Sequence, residues 1–277
     1  MLLQPASSSL STNRRIKLVV AYDGYDFCGW APQSGRRTVH GTLTEAVRQI
    51  SGEDCEITGA SRTDSGANAR GQVCHFDTTN PMPIERWPRV LNELLPNDLA
   101  VVGSSQVPDD FHSRFCADKR WYQYRIKSGQ RDPFRSRQAF QFEKELNLEL
   151  MQRAAKSLVG EHNFLAFSQE VVEGQNTVRL LHSVEVSRVK DEIRIDIVGQ
   201  AFIRGMMRRM SGALWEIGRG FRPVDNIDEL LAQRRKEDIK WPTVLPACGL
   251  TLMKVFYGRH PKDFRDNLIP TKEDDDE

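Results

Sequence analysis

A loop at residues 59–73, GASRTDSGANARGQV, combines small residues with an isolated carboxylate. Glycine and other small residues let the backbone approach a bound molecule closely. Between the first two glycines, Arg62 and Asp64 are the only charged residues. An aspartate in such a loop has three interpretations: it caps or turns the loop, it forms an ion pair with Arg62, or it acts as a catalytic nucleophile or base.

Two segments rich in basic residues could hold an anionic partner. Residues 119–137 contain seven basic residues and one acidic residue, with four aromatic residues among them. Cations bind phosphates and aromatic rings stack on unpaired bases, so this segment is typical of a nucleic-acid surface. Residues 204–222 contain five arginines and one acidic residue. A solvated basic face is the alternative for either segment.

The overall charge conceals this basic excess. The chain of 277 residues has 39 basic and 38 acidic residues, but five of the acidic residues form the C-terminal run at residues 273–277. Without that run, 33 acidic residues remain and the net charge is +6. Arginine provides 28 of the basic residues. Because its planar guanidinium forks onto phosphate and stacks on bases, the composition favours an anionic partner.

Composition and cysteine content exclude several classes of protein. Hydrophobic residues make up 39% and charged residues 28% of the chain, as in an ordinary globular protein. No run approaches the ~18 apolar residues of a membrane span, and no secretory signal is visible, so a cytoplasmic location without a membrane is expected. The five cysteines and six histidines are scattered. The sequence therefore predicts neither disulfides nor a metal site.

Hydrophobic periodicity predicts strands and helices throughout the chain. Strands are expected at residues 16–22, 71–76, 99–107, 121–127, 184–189, 193–198 and 250–257. Helices are expected at residues 42–50 with Thr42 as the N-cap, 84–95 ended by Pro96, 148–159 and 201–217.

This order of elements is typical of the α+β class. We predict two α+β halves with a largely antiparallel central sheet and helices on one face. The N-terminal half, with the loop that contains Asp64, would span residues 14–112 and the C-terminal half residues 113–259. A disordered extension at residues 1–13 and an acidic tail at residues 260–277 would flank them.

The predicted helix at residues 201–217 has one arginine that its apolar pattern does not explain. Five apolar residues recur at helical spacing and form a stripe that should face the core: Ile203, Met207, Met210, Leu214 and Ile217. At about 100° per residue, Arg208 lies on the opposite side. It faces either water or a second surface.

Several of these segments together resemble the tRNA pseudouridine synthase A family. Residues 61–69 followed by residues 71–73 are similar to the signature R-T-D-x-G-V-H-A…G-Q-V of that family. Further segments resemble its other motifs in the same order over residues 15–257: AYDG with GW near residue 30, LPND at 95–98, FHSRF at 111–115, RWYQY at 120–124, 202–212 and ACGL at 247–250.

The resemblance implies that the chain isomerises uridine to pseudouridine in the anticodon stem-loop of tRNA, as a homodimer and without a cofactor or metal. It also implies that the two halves are ferredoxin-like (RRM-like), with an RNA cleft on the face of the sheet away from the helices. It implies that Asp64 is the nucleophile and that Arg208 holds it ionised and oriented. Tyr122 would stack on the uracil and take part in proton transfer, although an ordinary core aromatic is the alternative. Arg62 would hold the extruded nucleotide or fill the vacated stack.

The basic residues that precede and follow Tyr122 are expected to contact phosphates of the RNA. These predicted contacts are Arg114, Lys119, Arg120 and Arg125. Two departures from the family pattern bear on loop shape and on which uridines are reached: Ala67-Asn68 replaces Val-His, and Ala31-Pro32 follows Gly29-Trp30 where the family has Gln-x. A binder of structured RNA without catalytic activity, and a pseudouridine synthase for other RNAs, are the alternatives.

Overall fold

The computed structural model describes residues 13–170 and 174–258. The predicted acidic tail and all but the last residue of the predicted N-terminal extension lie outside these ranges. The strands are β1 (Arg14–Tyr22), β2 (Thr58–Gly59), β3 (Asn68–Thr78), β4 (Leu99–Val107), β5 (Ala117–Ser128), β6 (Phe140–Phe142), β7 (Gly160–Asn163), β8 (Val178–Val189), β9 (Glu192–Gly199) and β10 (Leu250–Tyr257). The helices are α1 (Val39–Ser51), α2 (Trp87–Leu94), α3 (Leu148–Lys156), α4 (Met206–Gly218) and α5 (Asn226–Ala232).

All ten of these strands belong to one sheet. Its main order is β4-β1-β3-β10-β5-β9-β8-β7, with β2 paired to β3 and β6 paired to β5. Only the β10–β3 and β5–β6 pairs are parallel. The predicted α+β class with a largely antiparallel sheet is therefore confirmed. The C-terminal strand β10 lies between strands of the earlier and later parts of the chain, so it joins them into one sheet.

Alternation along the strands produces the core. Ile16, Leu18 and Val20 of β1 are fully buried, as expected for every second residue of a strand with one face against the core. Tyr122, Tyr124 and Ile126 of β5 lie opposite Ile197, Ile195 and Ile193 of β9, and all six are buried. These six side chains form the buried apolar face of the C-terminal part of the sheet.

Helix α1 begins earlier than the sequence predicted. Thr38, not Thr42, is its N-cap: Thr38 has an extended backbone and its hydroxyl accepts a hydrogen bond from the Gly41 amide. Thr42 lies inside the helix, where its own hydroxyl donates to the Thr38 carbonyl. Threonine is a favourable N-cap residue, so residue type does not distinguish the two positions. The extended backbone at residue 38 makes Thr38 the cap.

Helix α4 begins later than predicted, at Met206 instead of residue 201. Gly205 has a φ of 75°, a left-handed conformation that prevents the helix from extending towards its N-terminus. Phe202 and Ile203 therefore belong to the connection from β9, although Ile203 is buried like the rest of its predicted stripe. The helix predicted at residues 84–95 begins with a 3-10 turn at Ile84–Arg86 and ends before Pro96 as expected.

Within residues 13–170 and 174–258, none of the helices has the length and apolar character needed to span a membrane.

Candidate active site

The loop that contains Asp64 connects β2 to β3 and is held by hydrogen bonds at several positions. The Gln72 side chain donates to the Ser61 carbonyl at 2.7 Å, and the hydroxyls of Tyr22 and Thr63 are 2.8 Å apart. The Ala67 amide donates to the Asp64 carbonyl at 3.1 Å, which closes a turn around Asp64. The backbone on both sides of the carboxylate is thus fixed.

Close packing against the segment after β1 also holds this loop. A Cβ atom on Gly24 would lie 1.9 Å from the Ala67 carbonyl oxygen, so only glycine fits there. The Asn68 side chain accepts from the Gly24 amide and donates to the carbonyls of Arg137 and Cys248. Asn68, one of the two departures from the family pattern, therefore connects the loop to three distant segments.

Asp64 is paired with Arg208 of α4. Arg208 Nη1 lies 3.2 Å from Asp64 Oδ2, and Arg208 Nε donates to the Leu245 carbonyl at 2.7 Å. The two side chains are only 24% and 20% exposed. The side of the helix opposite the apolar stripe thus faces the Asp64 loop instead of bulk water, and the carboxylate pairs with Arg208 and not with Arg62.

Tyr122 lies on the buried face of β5 and is 7% exposed. Its ring meets that of Phe202 edge-on, with centroids 4.9 Å apart. Burial raises the pKa of the Tyr122 hydroxyl, while a hydrogen bond with the Ser61 side chain and the charge of Arg120 oppose that rise. Tyr124 is fully buried and donates to the Pro246 carbonyl at 2.7 Å, which fits a structural role.

The site lies on the side of the sheet that carries α4. Tyr122 shares its face of the sheet with Ile197, and Arg208 reaches Asp64 from the helix. The opposite face of β5 carries polar pairs, such as Trp121 and Gln123 with Asp196.

The basic residues predicted to bind RNA fall into two groups. Arg62 and Arg114 are exposed, and Lys119 is half-buried with its ammonium 5.9 Å from the centre of the Phe256 ring. Arg120 is buried and bonds protein acceptors, and Arg125 forms a two-pronged ion pair with the buried Glu192. The last two guanidiniums are therefore not free to bind phosphate in this structure.

Sequence reasoning missed four residues that surround the predicted catalytic groups. They are Ser61, Asn68, Phe202 and Leu245, of which Leu245 acts through its backbone carbonyl. The sequence did contain one indication that Arg120 is buried. Arg120 is two residues before Tyr122, so the alternation of a strand puts both side chains on the inward face. Among the described residues, no three histidine, cysteine or acidic side chains are grouped so that they could hold a metal ion.

A family model described as tRNA pseudouridine synthase matches residues 18–116 and 154–258. The chain belongs to the tRNA pseudouridine synthase family. Its predicted class, an isomerase, is thereby confirmed. The chain is 41% identical over 226 residues to the tRNA pseudouridine synthase A of Halalkalibacterium halodurans, covering 81% of this chain and 86% of the relative. It is 37% identical over 245 residues to that of Brevibacillus brevis, covering 88% and 100%.

Proposed function

We propose that this pseudouridine synthase isomerises uridine in the anticodon stem-loop of tRNA and that Asp64 is its nucleophile. The observation that carries the proposal is the ion pair of Asp64 with Arg208, in a loop fixed beside Tyr122. The curated relatives, which are named tRNA pseudouridine synthase A, support tRNA as the substrate.

The reaction breaks the bond between N1 of uracil and C1′ of ribose, turns the base, and joins C5 to C1′. The proton on C5 is lost and N1 gains one, so there is no net oxidation or reduction. A nucleophile that attacks C1′ or C6 makes this possible by forming a covalent intermediate. Asp64 supplies this carboxylate, and one carboxylate is sufficient.

Arg208 and Tyr122 complete the site. The Arg208 guanidinium stabilises the ionised carboxylate and fixes its direction, because its Nε is held by the Leu245 carbonyl while Nη1 reaches Asp64. Tyr122 stacks on the extruded uracil and takes part in the proton transfer at C5. Burial raises the pKa of its hydroxyl.

Contacts to RNA come from three cations near this site, of which Arg62 and Arg114 are exposed and Lys119 is half-buried. Arg62 holds the extruded nucleotide or fills the space that it leaves in the stack. Arg114 and Lys119 bind phosphates, which offsets the few kcal/mol that unstacking costs. We also propose that the enzyme acts as a homodimer in the cytoplasm, where its tRNA substrate is found.

Release of tritium from tRNA transcribed with 5-tritiated uridine tests this function directly. The wild type should release tritium, and Asp64→Asn should release none while it binds tRNA within about threefold of the wild type, since phosphate contacts lie elsewhere. A tRNA whose anticodon-arm uridines are replaced by cytidine should release none. Tight binding without release by the wild type would instead favour an RNA-binding protein, and release from the substituted tRNA would indicate other target uridines.

A further inference from the structure

Arg120 is a buried arginine with an unusual set of partners. The residue is only 8% exposed, and four of the five N–H donors of its guanidinium make hydrogen bonds. The distances are 3.3 Å from Nε to Ser61 Oγ, 2.6 Å from Nη1 to the Gln200 carbonyl, and 3.3 and 3.0 Å from Nη2 to the carbonyls of Ala60 and Arg114.

These acceptors come from three separate segments. Ala60 and Ser61 begin the loop that contains Asp64, Arg114 precedes β5, and Gln200 lies in the connection from β9 to α4. Within the described residues, none of the ion pairs includes Arg120. The guanidinium therefore crosslinks backbone segments through neutral acceptors, and its charge stays unneutralised beside the site.

Ser61 lies where the loop meets the strand of Tyr122. Its hydroxyl accepts from Arg120 Nε. Arg120 and Tyr122 are on the same face of β5, two residues apart, so one strand carries both the anchor and the aromatic ring. Asp64 is three residues further along the loop from Ser61. The loop and the strand are thus connected at the point where their catalytic groups meet.

We propose that Arg120 is a positioning residue, which with Ser61 holds the Asp64 loop against the strand of Tyr122, and that it is not a contact to tRNA phosphate. The inference rests on the proposed function of Asp64 and Tyr122. A loss of this crosslink leaves the exposed cations unchanged but lets the carboxylate shift relative to the uracil. A displacement of about 1 Å can lower a rate about 100-fold.

Steady-state kinetics with Arg120→Met and Arg120→Lys separate the two roles. For a positioning residue, Arg120→Met should lower kcat about 100-fold, while the Kd for tRNA stays within about threefold and the salt dependence of binding is unchanged. Arg120→Lys should recover part of kcat, because one ammonium reaches only some of the four acceptors. Arg14→Met is the matched control, since Arg14 also donates to backbone carbonyls, those of Asn80 and Met82, but far along β1 from the site. Its kcat should equal that of the wild type.

The opposite pattern would overturn the proposal. A phosphate contact predicts an unchanged kcat, weaker binding and a salt slope reduced by about one. Equal losses of kcat in Arg120→Met and Arg14→Met would indicate general destabilisation only. If Arg120→Met does not fold, as judged by circular dichroism, Ser61→Ala removes one acceptor alone and should lower kcat about tenfold at unchanged Kd; an unchanged kcat would contradict the proposal. Tritium release by the wild type, measured in parallel, shows separately whether the proposed function itself holds.

Discussion

At the scale of single residues, the site depends on guanidinium groups that bind two partners at once. Arg208 bonds the Leu245 carbonyl through Nε and Asp64 through Nη1, so its direction is set by the backbone before the carboxylate is engaged. The planar fork of arginine makes this possible, whereas an ammonium on a flexible chain behaves as a point charge. We therefore expect that charge alone does not satisfy this position.

Arg208→Lys should test this requirement. The lysine keeps the positive charge but cannot bond both acceptors, so kcat should fall about 10- to 100-fold, the amount expected from one charge-assisted hydrogen bond, while tRNA affinity stays within about threefold. The neighbouring Arg209 donates to the Pro242 carbonyl and packs on the Trp241 ring at 4.7 Å. Arg209→Lys is thus a control that should retain kcat. Equal kcat in the two variants would show that the fork at Arg208 is unimportant.

At the scale of elements, side-chain amides connect separate backbone segments through hydrogen bonds. Asn68 opens β3 and bonds the Gly24 amide and the carbonyls of Arg137 and Cys248, while it is 6% exposed. Asn92 makes a comparable link within the first half, where it both accepts from the Val101 amide and donates to the Val101 carbonyl. The two amides differ in whether they adjoin the Asp64 loop.

Asn68→Ala should lower both stability and activity. Three lost hydrogen bonds at a buried position should reduce the free energy of unfolding by about 2–4 kcal/mol and loosen the loop after Asp64. Urea unfolding and tritium release measure the two effects. Asn92→Ala loses two hydrogen bonds at an exposed position, so it should be destabilised less and should keep the kcat of the wild type below its unfolding transition. A normal kcat in Asn68→Ala would show that the loop does not depend on this link.

The buried His75 of β3 makes stability depend on pH. Burial, with the nearby charges of Arg15 and His112, lowers the pKa of His75 to about 4, and its Nδ1 accepts from the Ser113 amide. The unfolded chain binds a proton near pH 6.5, but the folded chain does so only near pH 4. Between these values the unfolded state holds more protons, so acid should lower the free energy of unfolding by up to about 3 kcal/mol.

Urea unfolding at pH 7 and pH 4.5 would measure this effect. His75→Gln should show a smaller loss of stability over that interval than the wild type, because the side chain no longer titrates. His182, which is exposed on β8, provides the control: His182→Gln should keep the pH dependence of the wild type. If His75→Gln loses as much stability between pH 7 and pH 4.5 as the wild type does, a group other than His75 causes the acid sensitivity.

At the scale of the whole molecule, the site is built from both parts of one sheet. The Asp64 loop precedes β3 and Arg208 belongs to α4, and 144 residues separate the two side chains in sequence. Strand β10 pairs with β3 on one side and with β5 on the other, so it fixes the distance between the two parts. Arg62 in the Asp64 loop and Arg114, whose carbonyl accepts from Arg120, are exposed near this place.

Binding of tRNA should depend strongly on salt. If six or more phosphates are contacted, raising the salt from ~50 to ~200 mM should weaken binding about 1,000-fold or more. Arg114→Met should reduce the slope of log Kd against log salt by about one, because Arg114 is exposed. Arg125→Met should leave that slope unchanged, because Arg125 is paired with Glu192. A flat response of the wild type would remove the basic surface from the binding site.

The sequence by itself determined those features that depend on local patterns. Strands β4 and β10 have the predicted bounds, the apolar stripe of the region around α4 is buried, and the α+β class and the enzyme family follow from motifs spread along the chain. Each of these features follows from the periodicity of hydrophobic residues or from short sequence motifs, and both depend on residues that are close together in the sequence.

Only the tertiary structure decided which of the possible charged groups meet. The residue pattern left Arg62 open as a partner of Asp64, the family resemblance implied Arg208, and the fold pairs Asp64 with Arg208. The fold also commits Arg120 and Arg125, which were predicted with Arg114 as contacts to RNA, to protein acceptors. The start of α4 was also decided by the turn at Gly205. The physical reason is that a guanidinium reaches whichever acceptors the folded chain brings within about 3 Å, and segments far apart in sequence supply them.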